Sequence, residues 1–260
     1  MPGELPHYDH EVFENSPLNE VVCQLRFNEI LAIGAAHPVE FQEAIRSEFP
    51  ILEREHGLQI GVVGNQVPIV GTSPGAWQFR SEKRDWVVSL ATPFVALKTT
   101  AYLDFQDFWG RFKPIVEAFE RVYRPGTYVR VGLRYVNHVF RYPDEDPTPW
   151  SKFFNDRIAG EHEDPVIGQD ITAASHHLVL QRPRGQVGMR FSRDVGQSEG
   201  RRAERFTLDF DHFIGAPVRP EEVESLLAEF NDAVYRLFRW CVTDDGIQFF
   251  KKKTTEEKPP

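Results

Sequence analysis

The stretch Tyr128-Val129-Arg130-Val131-Gly132-Leu133-Arg134-Tyr135-Val136-Asn137 constrains this chain more than any other. Read at period two, Val129, Val131, Leu133 and Tyr135 share one face, and Arg130, Gly132, Arg134 and Val136 share the other. That alternation describes a β-strand with one side against a core and one side left polar. An earlier stretch, Glu20 to Asn28, follows the same plan with Val21, Cys23, Leu25 and Phe27 inward. Both segments reach a Leu-Arg-aromatic step, and each opens a similar series of elements. The chain therefore reads as two related halves packed as one globular unit. A polar lead-in spans 1–18, the halves 19–126 and 127–250, and a tail expected to be disordered 251–260.

The first half continues from its strand at 19–28 into a helix near 38–49, with Pro38 in the first turn and Pro50 as the stop. Glycines and prolines crowd 57–75, which predicts one irregular strand and a mobile loop. Strands follow at 76–80, 86–90 and 94–101. A long aromatic helix covers 105–123, with Asp104 as its N-cap and Pro114 predicting a kink or a split. The second half starts with a strand at 128–139, then a helix at 149–158 capped by Thr148. A hairpin joins 171–182 to 186–193, a charged loop covers 194–204, and a strand at 205–212 leads to a helix at 220–242. Each half thus runs strand, helix, several antiparallel strands, long helix. The expected class is α+β, and by topology the order resembles the repeated half of TATA-binding-protein-like saddles. In those, one curved antiparallel sheet carries helices on its convex side; the analogy concerns fold alone.

Composition narrows the functional classes. A chain of 260 residues with 21 Phe can fill a core with large rings and needs no disulfide or metal staple. Cys23 and Cys241 fall on apolar faces of their elements, which predicts buried thiols rather than a disulfide and fits a reducing compartment. Met1 to Leu18 lacks the basic and apolar regions of a signal peptide, and no apolar run reaches the ~18 residues of a membrane span. A soluble cytoplasmic protein that does not engage membranes is the expectation. A formal charge of −9 disfavours diffuse nucleic-acid binding, although it leaves room for a local basic surface.

Four stretches carry a family resemblance: Pro17-Leu18-Asn19-Glu20-Val21-Val22-Cys23-Gln24-Leu25-Arg26-Phe27, Phe41-Gln42 with Pro50, Trp77-Gln78-Phe79-Arg80, and Gly132-Leu133-Arg134-Tyr135-Val136-Asn137. Over most of 17–250 the chain resembles a bacterial family of "sporadically distributed" proteins of unknown function. The resemblance implies a soluble bacterial protein of scattered occurrence, compatible with a mobile-element or defence-linked gene. It brings no activity and no catalytic residue.

With the apolar faces packed on helices, the opposite sheet face presents Gln24, Arg26, Gln78, Arg80, Lys98, Arg130, Arg134 and Arg190, with Asp209 and Asp211. Guanidinium forks suit phosphate or carboxylate. Arg26, Arg80, Lys98, Arg130, Arg134 and Arg190 are thus the candidate ligands for an anionic small molecule, a nucleic-acid segment or an acidic protein partner. Arg26 and Arg134 are favoured because the repeat makes them equivalent. Charge pairing across strands is the competing explanation of the same residues. Asp209 and Asp211, about 7 Å apart by strand rise, suggest as an alternative a divalent-metal enzyme acting on a phosphate ester; pairing with Arg190 competes with that too. His7, Asp9 and His10 resemble a metal cluster but lie in the lead-in, and His176 and His177 point to opposite faces. No phosphate loop, nucleophile elbow, Cys-x-x-Cys or His-Glu-x-x-His occurs, so no cofactor or catalytic residue is expected. The leading reading is a non-catalytic binding or assembly module, with a structural homodimer as a further alternative.

Overall fold

A computed structural model describes residues 5–54, 58–61, 69–72, 75–145, 148–198 and 201–251. The chain is α+β, with a large open antiparallel sheet and helices. Its strands are β1 (Leu18–Phe27), β2 (Ile51–Arg54), β3 (Leu58–Gly61), β4 (Ile69–Thr72), β5 (Trp77–Arg80), β6 (Trp86–Ala91), β7 (Phe94–Thr99), β8 (Tyr128–Arg141), β9 (Ala173–Gln181), β10 (Gln186–Ser198) and β11 (Arg201–Ile214). Its helices are α1 (Leu31–Ala35), α2 (Val39–Ile45), α3 (Phe105–Tyr123), α4 (Trp150–Phe153), α5 (Asp156–Ala159), α6 (Val223–Cys241) and α7 (Asp244–Lys251). Two compact units emerge. The first comprises Val21–Leu133 and Ile214–Leu226; the second comprises residues up to Glu20, Arg134–Phe213 and residues from Leu227.

In the first unit the strands lie in the order β2-β5-β6-β7-β1, with β3 and β4 as a separate hairpin. The alternation read in the sequence decides which side is buried. Val21, Cys23, Leu25 and Phe27 are 0–2% exposed, whereas Arg26 between them is exposed. Cys23 aligns with Leu97 of β7, Leu97 with Val88 of β6, and Val88 with Phe79 of β5, which extends one apolar row over four strands. The stripe of α3 covers that face. Phe108, Phe112, Ile115 and Phe119 are buried, and the rings of Phe27 and Phe119 stand 4.7 Å apart. Asp104 caps α3 as its sequence predicts, its carboxylate accepting from the Asp107 N–H at 2.8 Å. Pro114 does not split the helix, which runs unbroken to Tyr123 with the proline on its exposed side. A single missing N–H costs less than the packing of the whole stripe holds. Helix α1 was not anticipated. The irregular strand and loop expected over 57–75 resolve in part as β3 and β4, and the rest of that segment lies outside the described residues, as does the tail beyond Lys251.

The second unit orders its strands β8-β11-β10-β9. Two expectations are corrected here. The helix foreseen over 149–158 is two short turns, α4 and α5, because Asn155 breaks from α4 and caps α5, its side chain accepting from the Arg157 and Ile158 N–H groups. Thr148 provides no cap; the Glu163 carboxylate takes the Trp150 N–H at 2.5 Å instead. Of the loop foreseen over 194–204, residues 194–198 and 201–204 are strand, with β10 and β11 aligned from Gln186↔Phe213 to Ser198↔Arg201, and 199–200 lie outside the described residues. Charges on that segment pair across the ladder. Arg205 donates to Asp194, and Glu204, 1% exposed, accepts from Arg193 and Arg141 at 2.7 Å each. Burial pushes the Glu204 carboxyl up, but the bonds from Arg193 and Arg141 outweigh it and hold the group below its ordinary range.

The second core is ring-rich. Trp150 and Phe154 pack on Phe206 with centroids 5.2 and 4.5 Å away. Helix α7, also unanticipated, completes it by seating Gly246 on α4, where an added Cβ would stand 2.5 Å from the Phe153 carbonyl oxygen. The lead-in is ordered along α6: Tyr235 Oη donates to the Asp9 carbonyl and accepts from the Glu11 N–H, both at 3.1 Å. Neither cysteine forms a disulfide, and both thiols are buried, with the Cys241 thiol pushed up by burial. Among the described residues no helix is long and apolar enough to cross a membrane.

His212 on β11 gives this core a pH dependence. It is 3% exposed, stacks on Phe230 with centroids 3.8 Å apart, and its Nε2 lies 3.0 Å from the Arg184 carbonyl. Burial pushes its pKa down to about 4. Between the ordinary histidine value and that point the unfolded chain binds the proton and the native chain does not, so stability falls as pH falls through this window. Urea melts should show a loss of roughly 3 kcal/mol from this group across it, and His212→Phe should flatten that part of the profile. Gly246→Ala should lower stability by roughly 1–3 kcal/mol, since the obstruction is backbone rather than a side chain that can swing away; thermal melts read this directly.

Candidate functional site

The six candidate cations divide between the units. Arg26, Arg80, Lys98 and Arg130 belong to the first; Arg134 and Arg190 belong to the second, with Asp209 and Asp211.

In the first unit, strand register arranges the face opposite α3 in rows. The middle row runs Gln24–Ala96–Ser89–Gln78–Glu53 across β1, β7, β6, β5 and β2. Small or amide side chains fill its first four places, and none of the five is fully exposed. On one side the next row holds Lys98 and Arg80 separated by Val87, and on the other Arg26 sits opposite Phe94. The rows carrying Lys98 and Arg26 are four residues apart along β1 and β7, about 13 Å by strand rise. The result is a low polar floor with cations on both sides. Arg80 is not available as a bare charge: its Nε donates to Glu53 at 2.7 Å and its Nη2 to Gln78 at 2.5 Å. Arg84 donates to the same Glu53. The bond from Arg84 chiefly, helped by Arg80, holds the Glu53 carboxyl below its ordinary range. Arg26 differs. It is exposed and makes no ion pair among the described residues. The Arg130 guanidinium folds back over its own strand, so that a Cβ at Gly132 would meet its Nη1 at 2.7 Å. Glycine at 132 is what lets that charge lie close to the backbone.

In the second unit the candidate residues form a row across four strands. Arg134 of β8 grips Asp209 of β11 with two parallel bonds, Nε to Oδ1 at 2.7 Å and Nη2 to Oδ2 at 2.8 Å. Arg190 of β10 lies opposite Asp209 in the ladder, and His177 of β9 lies opposite Arg190. The sequence offered Arg190 as the partner of Asp209. Arg134 takes that role, because its planar fork reaches both oxygens at once. The hydrogen bond to Asp209 raises the Arg134 pKa further. Arg190 is exposed and makes no ion pair among the described residues.

This arrangement separates Arg26 from Arg134, which the sequence treats as equivalents: one points an uncommitted charge at solvent, the other neutralises a buried carboxylate. Both Asp209 oxygens accept a bond from Arg134. Among the described residues no group of three or more His, Cys, Asp or Glu side chains is placed to hold a metal. His7 engages Arg236 and His10 stacks on Tyr235, so the lead-in histidines serve to dock that segment on α6. His176 contacts Glu161 at 2.6 Å and stacks on Phe191, whereas its neighbour His177 is exposed. Sequence reasoning missed Arg84, whose approach to Glu53 follows from the left-handed turn at Arg84 (φ 61°) and carries no periodic signal.

No protein-family model matches the chain, and no curated protein does. Among solved structures it is similar to the di-domain ARO/CYC StfQ from the steffimycin biosynthetic pathway, at 9% identity over 89% of this chain and 96% of that one, with a TM-score of 0.20. That score is too low to equate the two folds.

The division of roles is measurable. Arg134→Glu leaves Asp209, 7% exposed, facing a like charge across a pair whose arginine is 43% exposed, and should cost about 1–3 kcal/mol in urea denaturation. Arg26→Glu should change stability by no more than about 0.5 kcal/mol.

Proposed function

We propose that this chain is a non-catalytic binding or assembly module that holds an anionic group on the cation-flanked polar row of its first unit. The group belongs to a small ligand or to an acidic stretch of a partner protein. The observation that carries this reading is Arg26: an exposed guanidinium without an ion pair among the described residues, at the rim of a row of small and amide side chains with Lys98 on the far side. Gln24, Ser89 and Gln78 add donors and acceptors to the floor. Charge selects the partner. With a formal charge of −9 the chain as a whole disfavours a long nucleic-acid backbone, so a compact anion or a short acidic stretch suits this patch better.

The proposal includes a duplication. Counting from its first strand, the first unit places β1 beside the last strand β7, then β6, then β5; the second places β8 beside its last strand β11, then β10, then β9. The same connectivity, each time closed by a 19-residue helix, supports descent of both from one module of the kind found in TATA-binding-protein-like saddles.

Calorimetric titration of the protein with inorganic phosphate and with a polyglutamate peptide tests the binding reading. Arg26→Glu and Lys98→Glu should each weaken the preferred probe by roughly tenfold at low salt, with the wild-type affinity falling as salt rises. Affinities indifferent to both substitutions, or no binding of either probe, would remove the reading.

A further inference from the structure

β9 ends the sheet of the second unit. It pairs with β10 from Gln186↔Gln181 to Asp194↔Ala173, and among the described residues no strand pairs with its other side. Two bonds fix which backbone groups face outward. The Thr172 carbonyl accepts from Val195, and the Arg182 N–H donates to Gly185 of the same hairpin, so even-numbered positions turn toward β10. The N–H and C=O groups of Ala173, Ser175, His177, Val179 and Gln181 are therefore directed to the outer edge.

This edge lacks the usual protection. Natural edge strands are kept short, or carry prolines and charges that block a further strand. β2, the edge strand of the first unit, follows that rule: it has four residues, begins after Pro50 and contains Glu53 and Arg54. β9 has nine residues, Ala-Ala-Ser-His-His-Leu-Val-Leu-Gln, with no proline, carboxylate, lysine or arginine. Leu178 and Val179 stand 45% and 57% exposed on its two faces.

We infer that the outer edge of β9 pairs antiparallel with β9 of a second copy of this chain, about a two-fold axis at His176. The sequence is self-complementary in that register. Ala173 falls opposite Val179 and Ala174 opposite Leu178, so each exposed large side chain meets a small one. Ser175 falls opposite His177, and the odd-numbered pairs exchange the outward backbone bonds. The flanks complement each other in charge. Asp170, before β9, is exposed and makes no ion pair among the described residues. Arg182, after β9, makes none either, and its Nε is buried without a hydrogen-bond partner. Asp170 lies in the turn that precedes β9, and the His176 register brings this end of one copy toward the Arg182 end of the other, twice per dimer. The Asp170 carboxylate of one copy is thereby offered to the guanidinium head of Arg182 in the other.

Sedimentation equilibrium of the full chain tests this. Wild type should be a dimer. Val179→Pro removes an outward N–H that β10 does not use, and Val179→Lys places a charge on the edge; both should give folded monomers with the wild-type far-ultraviolet circular dichroism. Asp170→Arg should raise the dimer dissociation constant by roughly tenfold or more, and adding Arg182→Asp should restore it. A wild type that stays monomeric at all concentrations, or a dimer indifferent to both Val179 substitutions, overturns the inference. Should the Val179 variants fail to fold, the charge exchange decides: no weakening by Asp170→Arg, or no rescue by the double exchange, has the same consequence.

Discussion

Single-sided burial of alternating strands is the constraint from which this structure follows. Along β1 the inward residues are nearly inaccessible while Arg26 among them is exposed, and β7, β6 and β5 carry the same row onward in register. Because the side-chain period is two, a slip of one residue anywhere in that ladder would drive Gln24 and Arg26 into the rings of α3 and expel Cys23 and Leu25. The register that buries the core thus also fixes the polar face. The row of Gln24, Ala96, Ser89 and Gln78 is aligned not by contacts of its own but by the apolar row behind it.

Charges in the molecule sort by what surrounds them. Most carboxylates and guanidiniums are committed to each other: on the covered face Glu204 to Arg193 and Arg141, on the open face Asp209 to Arg134. A buried ion that lost its partner would be strongly destabilising, so these residues are poor candidates for engaging anything else. Where the sheet is open, Arg26 and Arg190 remain without an ion pair among the described residues. Arginine count on a sheet face is therefore a weak guide to binding; accessibility and the absence of a nearby carboxylate are what distinguish an available cation from a structural one.

The candidate site was half legible in advance. Alternation alone placed Arg26, Arg80 and Lys98 opposite the core, and they lie there. Their partners were not legible, because a pairing such as Arg80 with Glu53 joins residues 27 apart through a strand order that local pattern does not encode. The same holds for Asp209, whose partner on sequence grounds was Arg190. Both arginines lie on strands adjacent to β11, and only the side-chain path selects Arg134.

What the sequence determined by itself are the features set by neighbours a few residues away: the inward and outward faces of β1, the span of α3 with its Asp104 cap, and two thiols buried without a disulfide. Periodicity and capping are local, and local chemistry suffices to read them. Tertiary structure decided the rest. It paired 194–198 with 201–205 as strand because burying Glu204 against Arg193 and Arg141 outweighed the loop preference of glycine and charge. It split the helix after β8, ordered the lead-in along α6, and chose which arginines would be neutralised. Each of those outcomes turns on a partner distant in the chain, and no local pattern names the partner.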